Sequence, residues 1–255
     1  MISLRGVSFS YGERRALDHI SLDINRGEHV ALIGPNASGK TTLAMTMNAL
    51  LMPGEGDCLV DGVSTKDDPA HARRMVGMVF QDPESQAVAR RVWDDVAFGP
   101  GNLGLSGDEI GRRVRASLDQ AGLGEYSQSE VSCLSGGQKQ LLAIAGILAM
   151  EPSYIVFDEP TALLDGPGCR MVRDVIAGLK KKGIGVVTIT HDMEEALQAD
   201  RIVALRCGQV IADVPPDVFF SHEGLMARIG VQPPYTFRMA KYSGLVPAEV
   251  IRECR

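Results

Sequence analysis

The fold is decided by one stretch of sequence, His29-Val30-Ala31-Leu32-Ile33-Gly34-Pro35-Asn36-Ala37-Ser38-Gly39-Lys40-Thr41-Thr42. An apolar run ends at Ile33, a loop bounded by glycines follows, and a helical pattern begins at Thr41. In this order of strand, loop and helix, successive backbone N–H groups and the helix N-terminus can bind a β-phosphate. Lys40 would add a charge between the β- and γ-phosphates, and the Thr41 hydroxyl is placed to coordinate Mg²⁺. We therefore predict that residues 34–42 bind a nucleotide; a glycine-rich turn with a surface lysine is the alternative.

Short apolar runs alternate with helical patterns along the chain. The predicted strands are His29–Ile33, Val76–Phe80, Ser153–Phe157, Ile184–Ile189 and Arg201–Leu205. Continuous apolar runs are typical of parallel strands buried on both faces. Helices are predicted over Thr41–Leu51, with Leu43, Met47 and Leu50 on one face, and over Gly166–Lys182. This alternation predicts an α/β fold with a parallel core sheet.

Two regions depart from the alternation of strand and helix. Ile2–Ser10 and Asp18–Ile24 alternate polar with apolar residues, which predicts an antiparallel sheet near the N-terminus. From about residue 83 to 150 no strand pattern occurs, and Ser106-x-x-Glu109 is a capping-box pattern for a helix that closes at Gly122. We predict a nucleotide-binding domain over 1–220 with this helical subdomain inserted, and a weakly helical C-terminal extension over 221–255.

Composition limits the classes of partner. The net charge is −6 and no long Lys/Arg run occurs, which argues against nucleic acid, whose phosphates need a basic surface. The longest apolar stretch lies around Leu141 to Met150 and is about half of what spans a bilayer. No signal-peptide pattern is present, so any membrane association is expected through a partner protein. The five scattered cysteines indicate reduced thiols in a cytosolic protein, without a structural metal.

Two carboxylates follow the predicted strand Ser153–Phe157. Asp158 at the strand end is suited to hold Mg²⁺ through water, and Glu159 is placed to orient or activate an attacking water. A pair of acids at a strand end is otherwise only the start of a solvated loop. The phosphate loop earlier in the chain favours the catalytic interpretation.

Three further side chains are candidates for the same site. His191 follows the strand Ile184–Ile189 and can hydrogen-bond a γ-phosphate, although a lone histidine is more often structural; Asp192 and Glu195 after it are predicted to cap the next helix. Gln81 ends the strand Val76–Phe80 and is predicted to reach the metal or the attacking water. Tyr11 is predicted in a loop, where an aromatic ring can stack on adenine.

The segment Leu134-Ser135-Gly136-Gly137-Gln138 predicts a second anion site. Two glycines at a helix start expose N–H groups and the positive end of the helix dipole. One γ-phosphate does not need two such loops from one chain, so the segment indicates two ATPase chains arranged head to tail. Asp165 is predicted in a loop that crosses their interface.

The order of these motifs resembles ABC-type ATPases over roughly residues 2–230. The motifs are the phosphate loop, Gln81, LSGGQ, the sequence IVFDEP at 155–160 and His191. The resemblance implies a P-loop NTPase fold of ABC type, with ATP and Mg²⁺ bound. It also implies that Glu159 is the catalytic base and His191 a switch that senses the γ-phosphate.

Within that family, three segments are similar to the ATPase subunits of energy-coupling factor (ECF) transporters, which import vitamins and metal ions. They are residues 79–86, 94–105 and 134–146. The resemblance implies a second ATPase subunit, identical or related, a membrane T-component that docks beside 81–86, and a membrane S-component that binds the substrate. It places the chain peripherally on the cytoplasmic face of the cell membrane, and it implies that 221–255 adds dimer contacts.

Three residues depart from the family pattern. Ala37 stands where glycine is usual, which would cost roughly 1 kcal/mol if the loop needs a positive φ there. Leu141 replaces an arginine that usually follows LSGGQ, and Gly166 replaces a proline after Asp165. None of the three removes a catalytic group, so we predict an active ATPase.

Other functions fit the sequence less well. An ATPase subunit of another ABC importer type is the nearest alternative. A soluble ABC-type ATPase acting on DNA or ribosomes usually carries a coiled-coil insertion or tandem ATPase domains, for which 255 residues leave no room. A small-molecule kinase has no use for LSGGQ. The resemblance implies that another polypeptide selects the transported substrate.

Overall fold

The computed structural model describes residues 1–243, which form two β-sheets, a group of helices inserted between two strands of the larger sheet, and three C-terminal helices. The strands are β1 (Ile2–Tyr11), β2 (Arg14–Ile24), β3 (His29–Ile33), β4 (Glu55–Val60), β5 (Val63–Ser64), β6 (Val76–Val79), β7 (Tyr154–Asp158), β8 (Gly185–Ile189), β9 (Arg201–Arg206) and β10 (Gln209–Val214). The helices are α1 (Lys40–Met47), α2 (Pro69–Met75), α3 (Val92–Asn102), α4 (Gly107–Gln120), α5 (Gly136–Leu148), α6 (Gly166–Lys181), α7 (Met193–Leu197), α8 (Pro216–Ser221), α9 (Glu223–Ile229) and α10 (Tyr235–Ser243).

The larger sheet has the strand order β10-β9-β3-β8-β7-β6. Its pairs β9–β3, β3–β8, β8–β7 and β7–β6 are parallel, and only β10 runs antiparallel, against β9. All five predicted parallel strands are therefore confirmed within one or two residues at their ends. Because parallel strands end at one edge, the residues that follow β3, β6, β7 and β8 gather there.

The smaller sheet is antiparallel, with the order β2-β1-β4-β5. The pairing of β1 with β2 is confirmed. Strands β4 and β5 were not predicted, because Glu55-Gly56-Asp57 opens β4 with residues disfavoured in strands and β5 has only two residues.

The helical region between β6 and β7 is confirmed, since residues 83–150 contain α3, α4 and α5 and no strand of either sheet. These helices share an apolar core with the underside of the sheet, including Val96, Leu118 and Ile144. The capping box predicted for α4 forms only in part. The Ser106 hydroxyl accepts from the Glu109 N–H, but the Glu109 carboxylate binds the arginines of the next turn instead of returning to Ser106.

The helix after the phosphate loop is shorter than predicted. It ends at Met47 rather than Leu51, and Ala49 takes a left-handed φ of 58°. Leu43 and Met47 are buried as expected, but Leu50 lies beyond the helix end and is half exposed. The periodic pattern continued past the point where the backbone turns.

The C-terminal helices share a core with the parallel sheet. Phe219 and Phe220 of α8 are fully buried, and Phe237 of α10 is 5% exposed. They pack with Ile33 of β3 and Ile202 of β9 in one apolar cluster. The weak helicity predicted for the tail corresponds to three helices, the first of which begins at Pro216; the remainder of the predicted extension, 244–255, lies outside the described residues.

The described residues contain four unpaired cysteine thiols, Cys58, Cys133, Cys169 and Cys207, and Cys254 lies outside them. Across the same part of the chain, every helix is too short or too polar to cross a bilayer.

We expect Phe219→Ala to lower the free energy of unfolding by about 3–5 kcal/mol, because truncating a buried phenylalanine removes apolar contacts and leaves a cavity. Val218→Ala is the matched control, since Val218 is its neighbour on α8 and is 50% exposed. Urea unfolding followed by circular dichroism measures both. Equal losses from the two substitutions would show that α8 does not contribute to the core.

Candidate active site

The phosphate loop between β3 and α1 depends on two glycines. Gly39 has a φ of 105°, and a Cβ atom there would lie 2.5 Å from the Ala16 carbonyl oxygen. A Cβ atom at Gly34 would lie 2.2 Å from the carbonyl oxygen of Leu205 on β9. Neither position has room for a side chain. The loop backbone can therefore pack directly against the backbone of Ala16 and Leu205, which fixes its conformation.

Lys40 is held within the loop that precedes it. Its ammonium donates to the carbonyl oxygens of Gly34 at 2.8 Å and Pro35 at 3.0 Å, and the residue is 6% exposed. Burial lowers the pKa of Lys40, while the carboxylates of Glu159 and Asp158 oppose that shift. A cation held at the loop and facing two carboxylates is suited to an anionic ligand.

Two features of the loop fit a phosphate and a divalent cation. Among the described residues the buried Ser38 hydroxyl has no hydrogen-bond partner, and an unpaired polar atom is costly to bury without a ligand. The Thr41 hydroxyl donates to Asp158 Oδ2 at 2.8 Å. Burial raises the pKa of Asp158, and the bond from Thr41 counteracts this. A hydroxyl from α1 and a carboxylate from the end of β7, brought together here, are oxygen ligands of the kind that Mg²⁺ prefers.

Glu159, His191 and Gln81 meet beside this pair. His191 Nε2 lies 3.1 Å from Glu159 Oε1, and Gln81 Nε2 donates to Glu159 Oε2 at 3.3 Å. Glu159 has a left-handed φ of 50°, and its N–H donates to the Ile189 carbonyl oxygen at 2.9 Å. Such a conformation is costly for a residue other than glycine and occurs often at functional sites. Three side chains predicted separately therefore lie together.

Two side-chain amides that were not predicted as site residues, those of Gln86 and Gln140, bind the backbone of Phe80 beside Gln81. The Phe80 N–H donates to Gln86 Oε1 at 2.9 Å, and Gln86 Nε2 returns to the Phe80 carbonyl oxygen at 3.1 Å. Gln140, fully buried on α5, donates to the same carbonyl at 3.4 Å. Neither the half-buried amide of Gln86 nor the buried amide of Gln140 gives a periodic signal, and only the fold brings them to Phe80.

The LSGGQ segment begins α5 as predicted. Ser135 is the N-cap, its hydroxyl accepts from the Gln138 N–H at 3.3 Å, and Gln138 Oε1 accepts from the Ser135 N–H at 2.9 Å. Within the described part of the chain, no hydrogen bond or ion pair joins 134–138 to the phosphate loop. A Cβ atom at Gly137 would lie 3.0 Å from the Cα atom of Gly168, so the starts of α5 and α6 are in backbone contact.

Asp165 lies in a loop as predicted, and Tyr11 does not. Asp165 is the last residue of the loop before α6 and its N-cap, with its carboxylate accepting from the Gly168 N–H at 2.9 Å. Tyr11 ends β1 instead of lying in a loop, because the hairpin turn begins one residue later. It is 52% exposed and packs edge-to-face on Phe9, with the ring centroids 4.9 Å apart.

The helix after His191 begins only partly as predicted. Asp192 is the N-cap of α7 and accepts from the Glu194 N–H at 2.8 Å. Glu195 does not cap the helix; its carboxylate is buried and accepts from the Thr161 and Thr190 hydroxyls. The predicted cap at Asp192 is therefore confirmed. The predicted cap at Glu195 is wrong, because two threonine hydroxyls bind its carboxylate instead.

The three departures from the family pattern have structural settings. Ala37 has a φ of 61°, so this position does take the positive φ that favours glycine. Leu141 is fully buried in the core beneath α3–α5, where an apolar side chain packs well. Gly166 is the first residue of α6, and Pro167 follows it inside the first turn.

Comparison with known proteins gives a consistent set of relatives. The family model described as ABC transporter matches residues 17–162. A cobalt import ATP-binding protein, CbiO, from Syntrophus aciditrophicus is 48% identical over 92% of this chain and 85% of its own length. An energy-coupling factor transporter ATP-binding protein, EcfA1, from Clostridium novyi is 45% identical over 94% of this chain and 89% of its own.

Two solved structures have the same fold. The cbiO1 protein of Clostridium perfringens, part of the ABC transporter complex cbiONQ, superimposes with a TM-score of 0.81 at 31% identity and covers 96% of this chain and 98% of its own. The ATP-binding cassette MJ0796, dimeric in a post-hydrolysis state with ADP and Pi, gives a TM-score of 0.75 at 31% identity over 85% of this chain and 99% of its own.

We expect Ala37→Gly to raise the free energy of unfolding by up to about 1 kcal/mol, because glycine relieves the left-handed strain at this position. Ala116→Gly on the exposed face of α4 is the control and should lower it by about 1 kcal/mol, the cost of glycine in a helix. Urea unfolding measures the change in the free energy of unfolding of each variant, and the two changes should have opposite signs. A loss of stability at both positions would mean that the loop does not strain Ala37.

Proposed function

This chain belongs to the ABC transporter family of ATP-binding subunits, and on that premise we propose that it binds and hydrolyses ATP to energise a membrane importer of the ECF type. Relatives named as a cobalt import protein and as energy-coupling factor subunits support that type. The transported substrate would then be a vitamin or a transition-metal ion.

One observation carries the proposal: the polar side chains after four strands meet at one edge, while LSGGQ lies apart from them. Glu159 contacts both Gln81 and His191, and Thr41 contacts Asp158. One copy thus holds the groups proposed to bind the γ-phosphate and to activate the attacking water. It also holds a second anion site, which would bind the nucleotide of another copy.

In the proposed site the backbone N–H groups of 34–39, the helix start at Lys40 to Thr42 and the Lys40 ammonium bind the phosphates of ATP. Tyr11 offers its exposed ring to the adenine base. Thr41, Asp158 and Gln81 would hold Mg²⁺, which neutralises phosphate charge when it is bound.

Glu159 orients the attacking water and accepts its proton. His191 contacts the Glu159 carboxylate in this structure, and once ATP is bound its imidazole N–H would donate to the γ-phosphate instead. The Gln81 amide, on the other carboxylate oxygen, adds a second polar contact at the water. Catalysis in this arrangement is mainly positioning and charge neutralisation.

Two such subunits, this chain twice or with a related ATPase, would close head to tail on ATP. Each phosphate loop then faces the Ser135 to Gln138 segment of the other subunit, and Asp165 lies at their interface. The relative MJ0796, which is dimeric in a post-hydrolysis state with ADP and Pi bound, supports a dimer. ATP stabilises the closed state because the γ-phosphate bridges both chains, and hydrolysis removes the bridge.

The membrane components would be a T-component and a substrate-binding S-component, with this chain peripheral on the cytoplasmic face. The surface beside 81–86 is the proposed docking site. Val88 and Phe98 are exposed by 60% and 53%, so apolar surface is available to a membrane partner's helix.

We expect Glu159→Gln to bind ATP but to hydrolyse it at least about 100-fold more slowly, since an amide cannot take the proton from water. The variant should then accumulate as a dimer with MgATP, measured by size-exclusion chromatography with light scattering. Glu125→Gln, an exposed glutamate, is the control and should turn over normally.

Adding Ser135→Arg to Glu159→Gln should preserve ATP binding and abolish the dimer, because only the second face of the composite site is blocked. Adding Lys40→Ala should abolish both. A Glu159→Gln/Ser135→Arg protein that still dimerises on ATP would contradict the head-to-tail site.

We expect the tagged chain, purified from solubilised membranes, to retain at least one integral membrane protein. Phe98→Asp should reduce its recovery, because a charge would then be buried against the partner's apolar helix; Tyr126→Asp, at an exposed aromatic outside α3, should not. Mass spectrometry of the eluate measures this. Recovery of no membrane protein would favour a soluble ABC-type ATPase.

A further inference from the structure

A buried carboxylate lies behind the proposed catalytic residues. Glu195 is 8% exposed and belongs to α7, the helix that follows His191. None of the steps proposed above uses it. An ionised carboxylate is buried at low cost only when donors surround it, so the donors indicate its role.

Three donors from three segments of the chain bind Glu195. The Thr161 hydroxyl donates to Oε1 at 2.5 Å, and the Thr190 hydroxyl donates to Oε2 at 2.7 Å. The Arg173 guanidinium of α6 donates from Nε to Oε1 at 3.1 Å. Both carboxylate oxygens are therefore occupied, one by the loop after β7 and the other by the end of β8.

Asp192 closes the network on its outer side. Its N–H donates to the Thr190 hydroxyl oxygen at 2.9 Å, which leaves the Thr190 proton for Glu195. Its carboxylate accepts from Arg173 Nη2 at 2.7 Å. Each group in the network thus has a defined donor or acceptor role, and hydrogen bonds of this kind around the buried Glu195 restrict the motion of the groups that it binds.

The two hydroxyl donors flank the catalytic pair. Thr161 lies two residues after Glu159, and Thr190 immediately precedes His191. Glu159 and His191 are in contact at 3.1 Å, so small shifts of either segment would separate them. One carboxylate bonded to both segments fixes their relative position.

We propose that Glu195 is a positioning residue for ATP hydrolysis: it binds Thr161 and Thr190 and so holds Glu159 and His191 in mutual orientation. The inference rests on the proposed function above. A glutamine at this position keeps the volume, but it replaces one acceptor oxygen with an NH₂ group that cannot accept from a threonine or an arginine. Lys40 and the phosphate loop lie outside the network, so ATP binding should be independent of it.

Glu195→Gln should lower kcat by about 10-fold or more, as is typical when a group that orients a catalytic residue is removed. The Kd for ATP should stay within roughly twofold of the wild type, since ground-state contacts are unchanged. Phosphate release measures kcat and equilibrium dialysis measures Kd, both well below the midpoint of thermal unfolding. Glu194→Gln is the control: its carboxylate accepts from the Thr236 hydroxyl at 2.9 Å, and its kcat should equal that of the wild type.

Thr161→Val tests the same contact from the other side and should also lower kcat with little change in Kd. Combined with Glu195→Gln it should cost no more than Glu195→Gln alone, because both remove one interaction. A purely structural role would lower thermal stability and leave the kcat of the folded protein unchanged. If Glu195→Gln does not fold, the kcat and the Kd for ATP of Thr161→Val test the inference.

Wild-type kcat in Glu195→Gln or in Thr161→Val, or fully additive losses in the double variant, would overturn the inference. These outcomes differ from a failure of the proposed function. In that case the wild-type protein itself would not hydrolyse ATP, and no variant would be informative about positioning.

Discussion

The in-register parallel pairing of β3, β8 and β7 is the constraint on which the site depends. Leu32 pairs with Ile189, and Ile189 pairs with Asp158, so three strands end at one level. The Thr41–Asp158 bond and the backbone bond from Glu159 to Ile189 then join the residues that follow. A one-residue slip in any pair would turn these side chains away from one another.

Much of the site was predictable because its residues are marked by strand ends and glycines. Phosphate loop, Asp158, Glu159 and His191 each follow a continuous apolar run, and parallel strands bring such ends together whatever their distance along the chain. The parallel sheet and the helical region were predictable for the same reason. The ABC family membership adds roles that spacing alone does not assign.

What the sequence did not reveal depends on tertiary contacts. Strand β4 has polar residues that pair only because β1 lies beside it, and the C-terminal helices depend on phenylalanines that meet β3 and β9. Glu195 has the spacing of a capping residue, yet the hydroxyls of Thr190, five residues earlier, and of the more distant Thr161 bind it. Local patterns identify a polar group but not the partner that the fold supplies.

The close approach of Gly137 and Gly168 has a mechanical consequence. The helix that begins in the LSGGQ segment and the helix that follows Asp165 approach through their backbones, with no side chain between them at this point. A displacement of one helix start would therefore pass directly to the other. In the proposed dimer, a shift that begins in the loop after Glu159 would in this way reach the surface that faces the other subunit's nucleotide.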